Sequence, residues 1–455
     1  MDAKELILNY TPIALQNVAI SIFNTRQYRT RHGGEYAKKR LYYKKYSMAS
    51  REAIERESQR KLHNFLVHAQ KNSTWYSCIA AEDLSEFPIL EKSDILENLD
   101  VISTIKESEG VARLTGGTTG ASMKVIYTHG DVQDRHAVLD YFRSTYGYEL
   151  GKKVAWFTGK KFVREKDLLN GNVCRDDLIN KIRFFSTFHI NKKRFDSYWS
   201  ELQKFEPEFV VGFPSSIYDL CHMALERGVS LQGIKVFFPT AETVLPHHRA
   251  VIERVLGCQI IDQYASSEGA PFILQCPHGS LHMHTLTGIF EVVDENMQPA
   301  SEGELLVTAF ATYGTPLIRY RIGDRVKLAS SDYACPCGSS FPVAEAIYGR
   351  SSDFILSPEN GRVRNLSVCT KGVLGIISFQ VVQYDTSSIE INMIAGAEFS
   401  QAQKKRFLNN ISQRVGSSLV INLKMVENIP REKSGKYRIV KNMIPQEVVD
   451  KCGYL

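Results

Sequence analysis

At 455 residues the chain is long enough for two to four structural units of ~100–200 residues each. Its 43% hydrophobic and 23% charged residues exclude a disordered or fibrous class and leave a globular protein with a large core. The net charge of +6 accommodates anionic ligands without implying nucleic acid, and no segment shows the pattern of a known nucleic-acid module.

The first residues, MDAKELILNY, lack the basic and apolar regions of a secretory leader. The most apolar early stretch, residues 11–23, is broken by Gln16 and Asn17 and is shorter than the ~20 apolar residues a bilayer span needs. A cytoplasmic protein is expected, its nine cysteines being thiols or metal ligands rather than disulfides. Residues 26–45 hold eight Lys or Arg against one acid, Glu35, with tyrosines 28, 36, 42, 43 and 46 in or beside them. Two readings fit: a patch making peripheral contact with anionic lipid, at the inner face of a membrane, or an arm packed on the main domain.

Residues 1–84 read as a helical region packed on the core, rich in Ala, Leu, Glu, Lys and Arg. A core over 85–352 follows. RLTGGTTGASMK, residues 113–124, is a Gly/Thr loop whose backbone N–H groups and hydroxyls suit phosphate, though it is not a Walker A loop. Strands then alternate with helices: KKVAWFTG is a strand and turn, PEFVVGFPSSIYDLCHMALERG is strand, turn and helix stopping at Gly228, and LPHHRAVIERVLG is a helix stopping at Gly257. This alternation predicts an α/β fold with parallel strands and a ligand at their carboxyl ends. From Gly288 the segments shorten to GIFEVVD, GELLVTAF and DRVKLAS, which predicts an antiparallel subdomain. Residues 353–455 predict a small α+β lid domain with a helix at 400–414.

CPHGSLHMH and CPCG gather Cys276, His278, His282, His284, Cys335 and Cys337. Zinc prefers four tetrahedral S/N ligands, and Cys276, His282, Cys335 and Cys337 would make a closed structural site, with His278 competing for the histidine place. Buried thiols with loop histidines are the alternative. Cysteines 78, 174, 221, 258, 369 and 452 show no paired spacing.

TGGTTG (115–120), TAE (240–242), DQYASSEG (262–269), YRIGDRV (320–326), GRSSD (349–353) and PREKSGKYR (430–438) stand in that order. Together, over residues 85–445, they resemble the adenylate-forming superfamily, in particular its phenylacetate-CoA ligase-like branch with CapK-like capsule-biosynthesis proteins. The resemblance implies ATP-dependent activation of a carboxylate to an acyl-adenylate, then transfer to CoA. It implies that Thr115, Gly117, Thr118, Thr119 and Gly120 hold the ATP phosphates. Lys124 lies one position beyond the family's usual lysine. Ala241 and Glu242 fall beside the adenine, and Asp262 and Tyr264 at its edge and face. Ser267 lies near the phosphate, and Glu268 holds Mg²⁺, a hard cation suited to oxygen ligands. Asp324 takes the ribose hydroxyls, an ionised acceptor suiting a diol, and Arg350 lies close by. Asp353 marks the hinge of the C-terminal domain. Lys436 bridges the carboxylate and the α-phosphate, where a cation stabilises shared negative charge. The family's acyl pocket falls on Tyr141, Phe142, Tyr146, Phe213, Pro214, Phe238 and Pro239, whose aromatic walls suit an aryl or small apolar acid. His189 and Arg135 offer instead a face for a polar acid. The basic N-terminal region resembles that of proteins from polysaccharide biosynthesis, a resemblance that implies as alternatives an amino acid or uronic acid passed to an amine or carrier without CoA. A non-catalytic nucleotide- or acyl-binding scaffold is the third reading, and a homodimer stays open.

Overall fold

The computed structural model describes residues 11–80, 82–114, 123–160, 162–350, 354–364, 366–432, 437–445 and 447–448. The described residues open with three helices, α1 (Ile13–His32), α2 (Tyr36–Tyr46) and α3 (Arg51–Asn72), of which the first two pack on α4 (His129–Ser144). Thr128 starts α4 by a capping box: its hydroxyl accepts from Asp131 N at 3.0 Å, and its own N–H donates to the Asp131 carboxylate at 2.8 Å.

The basic, tyrosine-rich stretch is docked on α4 through that helix's buried acids. Asp134 accepts from Lys39 Nζ at 3.0 Å and Tyr43 Oη at 2.7 Å. Asp140 accepts from Tyr36 Oη at 3.1 Å and faces His32 Nε2 at 3.0 Å. Buried carboxylates need such partners, so the packed-arm reading holds. The lipid-patch reading loses Lys39, His32 and both tyrosines, which face inward. Among the described residues no helix is long and apolar enough to cross a membrane.

The expected α/β layer is a six-stranded sheet in the order 174–177, 182–186, 154–158, 209–212, 236–239, 259–260. All its neighbours run parallel except the first pair. Phe157, Phe185, Phe209, Phe237 and Phe238 are fully buried. The helices Phe195–Phe205, Pro214–Glu226 and Pro246–Leu256 pack over it in one apolar cluster. Gly257 closes the last of these in a left-handed turn, φ 59°, as a glycine stop does.

A seven-stranded antiparallel sheet follows in the order 288–293, 302–309, 320–328, 343–350, 281–283, 273–275, 263–264. Its last three strands precede Gly288, so this layer begins earlier than the sequence predicts and carries the 262–269 motif on its edge. The C-terminal unit pairs Ile376–Gln383 with Ser388–Ala395 in an antiparallel hairpin, flanked by Val420–Met425 and Val440–Asn442 in parallel. Its helix Gln401–Val415 is capped by Ser400, within one residue of the predicted span.

Candidate active site

The carboxyl ends of the parallel strands bring the predicted loops together. Gly212 ends its strand against Phe157: a Cβ there would lie 2.7 Å from the Phe157 carbonyl oxygen, so only glycine fits. Its carbonyl accepts from Thr240 N at 2.9 Å, which anchors the next loop. Ala241 then takes a left-handed conformation, φ 64°, unusual for a residue with a Cβ. Glu242 accepts from Ser215 N at 3.1 Å, at the first turn of the helix Pro214–Glu226, and from Tyr437 N at 2.6 Å. Arg431 Nη1 stands 4.0 Å away. Burial raises the Glu242 pKa, and Arg431 opposes the shift. The carboxylate therefore ties the core to the C-terminal segment, while Ala241 faces the cavity described below.

Tyr264 and Asp324, 60 residues apart in sequence, meet directly. Tyr264 Oη donates to Asp324 Oδ2 at 2.6 Å. Asp324 lies opposite Arg350 across neighbouring strands, and only about 8% of it is exposed. Asp262 has other partners: its N–H donates to Gln275 Oε1 at 2.8 Å, and Arg249 Nη2 lies 3.4 Å from its carboxylate, whose pKa burial raises.

The loop carrying Ser267 and Glu268 is clamped from beneath. Arg135 donates to the carbonyls of Ser266 (3.0 Å), Gly269 (2.7 Å) and Ala270 (3.0 Å), and its guanidinium sits 4.8 Å over the Phe272 ring. Tyr127 Oη donates to the Ser267 carbonyl at 2.8 Å. Ser267 is exposed and Glu268 buried. Arg135 thus positions the loop and does not face a substrate. The sequence carries no sign of this, because its acceptors are backbone carbonyls more than 130 residues away. Lys124 is held in an ion pair with Glu107 at 2.8 Å. Thr115, Gly117, Thr118, Thr119, Gly120, Asp353 and Lys436 lie outside the described residues.

A cavity of about 220 Å³ opens beside these loops. Thr240, Ala241, Gln263 and Ala265 form one side. The opposite side comes from α1 and α4, including Arg31, His136 and Arg143. None of the seven predicted pocket residues lines it. Phe142 and Phe238 pack edge to face at 6.4 Å in the core, and Tyr141 lies in the same cluster. Tyr146 donates to the Gln275 carbonyl at 2.5 Å. Phe213 and Pro214 begin a helix, and the Pro239 carbonyl accepts from Gln263 at 3.3 Å. The helical wall of this cavity follows from helix geometry: His136, Asp140 and Arg143 recur at i, i+4 and i+7 and share one stripe of α4. The contribution of α1 had no signal other than its basic residues.

Cys276, His282, Cys335 and Cys337 do come together, with all four ligand atoms within 4.8 Å of one another. Cys276 Sγ lies 3.6 Å from Cys335 Sγ, and Cys337 Sγ lies 3.2 Å from His282 Nε2. Tetrahedral ligands ~2.0–2.3 Å from one zinc ion stand ~3.3–3.8 Å apart, so the donor set fits. His282 Nδ1 faces the Phe341 carbonyl at 3.1 Å, which orients Nε2 as the ligand. His278 is not in the group. His284 is not either: it stacks on Phe341 at 4.5 Å.

Residues 355–443 match the family model of the CapK C-terminal domain. The chain is 30% identical to Protein CapK of Staphylococcus aureus over 464 aligned positions, spanning 96% of this chain and 99% of that protein. It is 23% identical to the phenylacetate-coenzyme A ligase of Thermus thermophilus, over 80% of this chain and 87% of the relative. Its fold is similar to the crystal structure of 2-hydroxyisobutyryl-CoA ligase in the postadenylation state, with a TM-score of 0.67 at 15% identity, covering 87% of this chain and 90% of the other.

Proposed function

This chain belongs to the CapK family, in the phenylacetate-CoA ligase-like branch of the adenylate-forming superfamily, and from that premise we propose that it activates a small carboxylic acid with ATP and passes the acyl group to CoA. The acid's oxygen attacks the α-phosphate, pyrophosphate leaves, and the thiol then attacks the acyl carbonyl to release AMP. The observation that carries this reading is the meeting of Tyr264 and Asp324 at 2.6 Å beside the strand-end loops. A buried carboxylate held in place by a tyrosine is a fixed acceptor for a ribose diol. Such chemistry needs positioning and charge neutralisation more than proton transfer, and the rigid clamps of Arg135 and Glu242 supply positioning. Ser267 and Glu268 would lie at the phosphates, with Glu268 offering an oxygen ligand to Mg²⁺. Lys436 would neutralise the charge shared by acid and phosphate, and Asp353 would be the hinge. CoA as acceptor is supported by the relatives named above.

The cysteine–histidine group is read as a structural zinc site, since four protein ligands leave no position open for catalysis. It joins the turn before residues 281–283 to the loop at 335–337 and so braces the antiparallel sheet.

Trapping with hydroxylamine tests the activation step. With ATP and a substrate acid, an acyl hydroxamate is expected, and adding CoA should divert the product to a thioester. Hydroxamate without thioester would replace CoA by an amine or carrier. ATP-independent product would remove the adenylate.

A further inference from the structure

The cavity beside Ala241 has a charge imbalance. Arg31, in the last turn of α1, reaches it from a helix that the core motifs do not include. Arg31 Nε is buried and has no hydrogen-bond partner among the described residues. No described carboxylate forms an ion pair with it, and its guanidinium lies 5.9 Å from the centre of the Tyr28 ring. Burial and the neighbouring Arg113 guanidinium lower its pKa, and Tyr28 and Asp140 oppose that shift. A buried guanidinium N–H without an acceptor is costly, and a bound anion would relieve it.

Arg143 faces the same cavity. Its Nε donates to Gln263 Oε1 at 3.1 Å, and its two terminal nitrogens donate to no described residue. Asp140 is the one carboxylate in the lining, and it is already held by His32 and Tyr36. His136 stays uncharged, because burial pushes its pKa down to about 3. Two guanidiniums therefore face the space with little opposing charge. A cation is the wrong guest, even though His32, His136 and Asp140 place ligand atoms within 4.8 Å of one another. Trp156 and Leu139 add apolar wall. At ~30 Å³ of liquid volume per water molecule, 220 Å³ is room for a small acid.

We propose that this cavity takes a dicarboxylate, with one carboxyl group at the strand-end loops for activation and the second bound by Arg31, assisted by Arg143. The proposal rests on the carboxylate-activating function given above. It makes the N-terminal helix a specificity element of the site, and it replaces the apolar acid suggested by the aromatic residues.

The test is ATP–pyrophosphate exchange with matched pairs of acids: succinate against butyrate, glutarate against pentanoate, and phthalate against benzoate. At least one diacid should exceed its partner more than tenfold in kcat/KM. Arg31→Gln should cut that ratio at least tenfold, and Arg31→Lys should restore part of it. Monoacid preference, with the ratio unmoved by Arg31→Gln, would overturn the subsite and leave activation standing. A rise in KM for ATP alone, equal for both acids, would give Arg31 to the nucleotide and also overturn the subsite. If no acid supports exchange, thermal shift separates the two claims. A rise in Tm with a diacid in the full-length protein that Arg31→Gln abolishes would support the subsite and remove the activation reading. No rise with any diacid would overturn both.

Discussion

Asp324 offers one carboxylate oxygen to Tyr264 at 2.6 Å, so a small change at Asp324 separates charge from shape. Asp324→Asn keeps an acceptor for the tyrosine and removes the negative charge. Hydrogen bonds to a charged group are worth ~1.5–3 kcal/mol, or ~10–100-fold in affinity. KM for ATP should rise by about that factor with little change in Tm, measured by steady-state kinetics and thermal unfolding. An unchanged KM with a large fall in Tm would make the pair structural only. The family resemblance placed both residues at one site, but not in contact. Their separation of 60 residues hides the bond, and the expected separate roles at base and ribose gave no reason to join them. Arg135 was misread for a related reason: an arginine whose acceptors are backbone carbonyls leaves no complementary residue type in the sequence.

The elements with local signals were legible. Gly257 after an apolar-periodic run and Ser400 before another mark helix ends, because a left-handed glycine and a hydroxyl cap act within a few residues. The spacing of the cysteines and histidines located the group of Cys276, His282, Cys335 and Cys337, because its members fall in two short segments that neighbouring strands of the antiparallel sheet bring together. The docking of α1 and α2 on α4 was not legible. It depends on Asp134 and Asp140, about 100 residues away, whose partners are set by tertiary packing. At this scale the zinc reading makes a direct prediction. Purified protein should carry one zinc per chain by elemental analysis. Cys335→Ser should lose it and lower Tm by about 5–10 °C, the effect of a few kcal/mol in a large domain. Full stability in a zinc-free protein would leave the group as buried thiols.

Across the whole molecule, Arg431 joins the C-terminal unit to the core. Its guanidinium donates to Ser215 Oγ at 2.7 Å and Asp219 Oδ2 at 2.6 Å, and Tyr437 N donates to Glu242 beside it. Removing the cation would leave Asp219, whose pKa burial already raises, without its counter-charge. If this arrangement serves the first half-reaction, Arg431→Ala should slow adenylation about tenfold or more. Thioester formation from supplied acyl-adenylate should change much less, as separate single-turnover rates would show. Equal losses in both steps would mean that the contact holds the fold rather than one arrangement of it. The central claim is that this site makes an acyl-adenylate, and ATP–pyrophosphate exchange tests it most directly. Label from pyrophosphate should enter ATP only when a substrate acid is present, without CoA, and Asp324→Asn should reduce the rate at subsaturating ATP. Exchange that runs equally without any acid, or fails with every acid while the protein stays folded and binds ATP, would contradict the account.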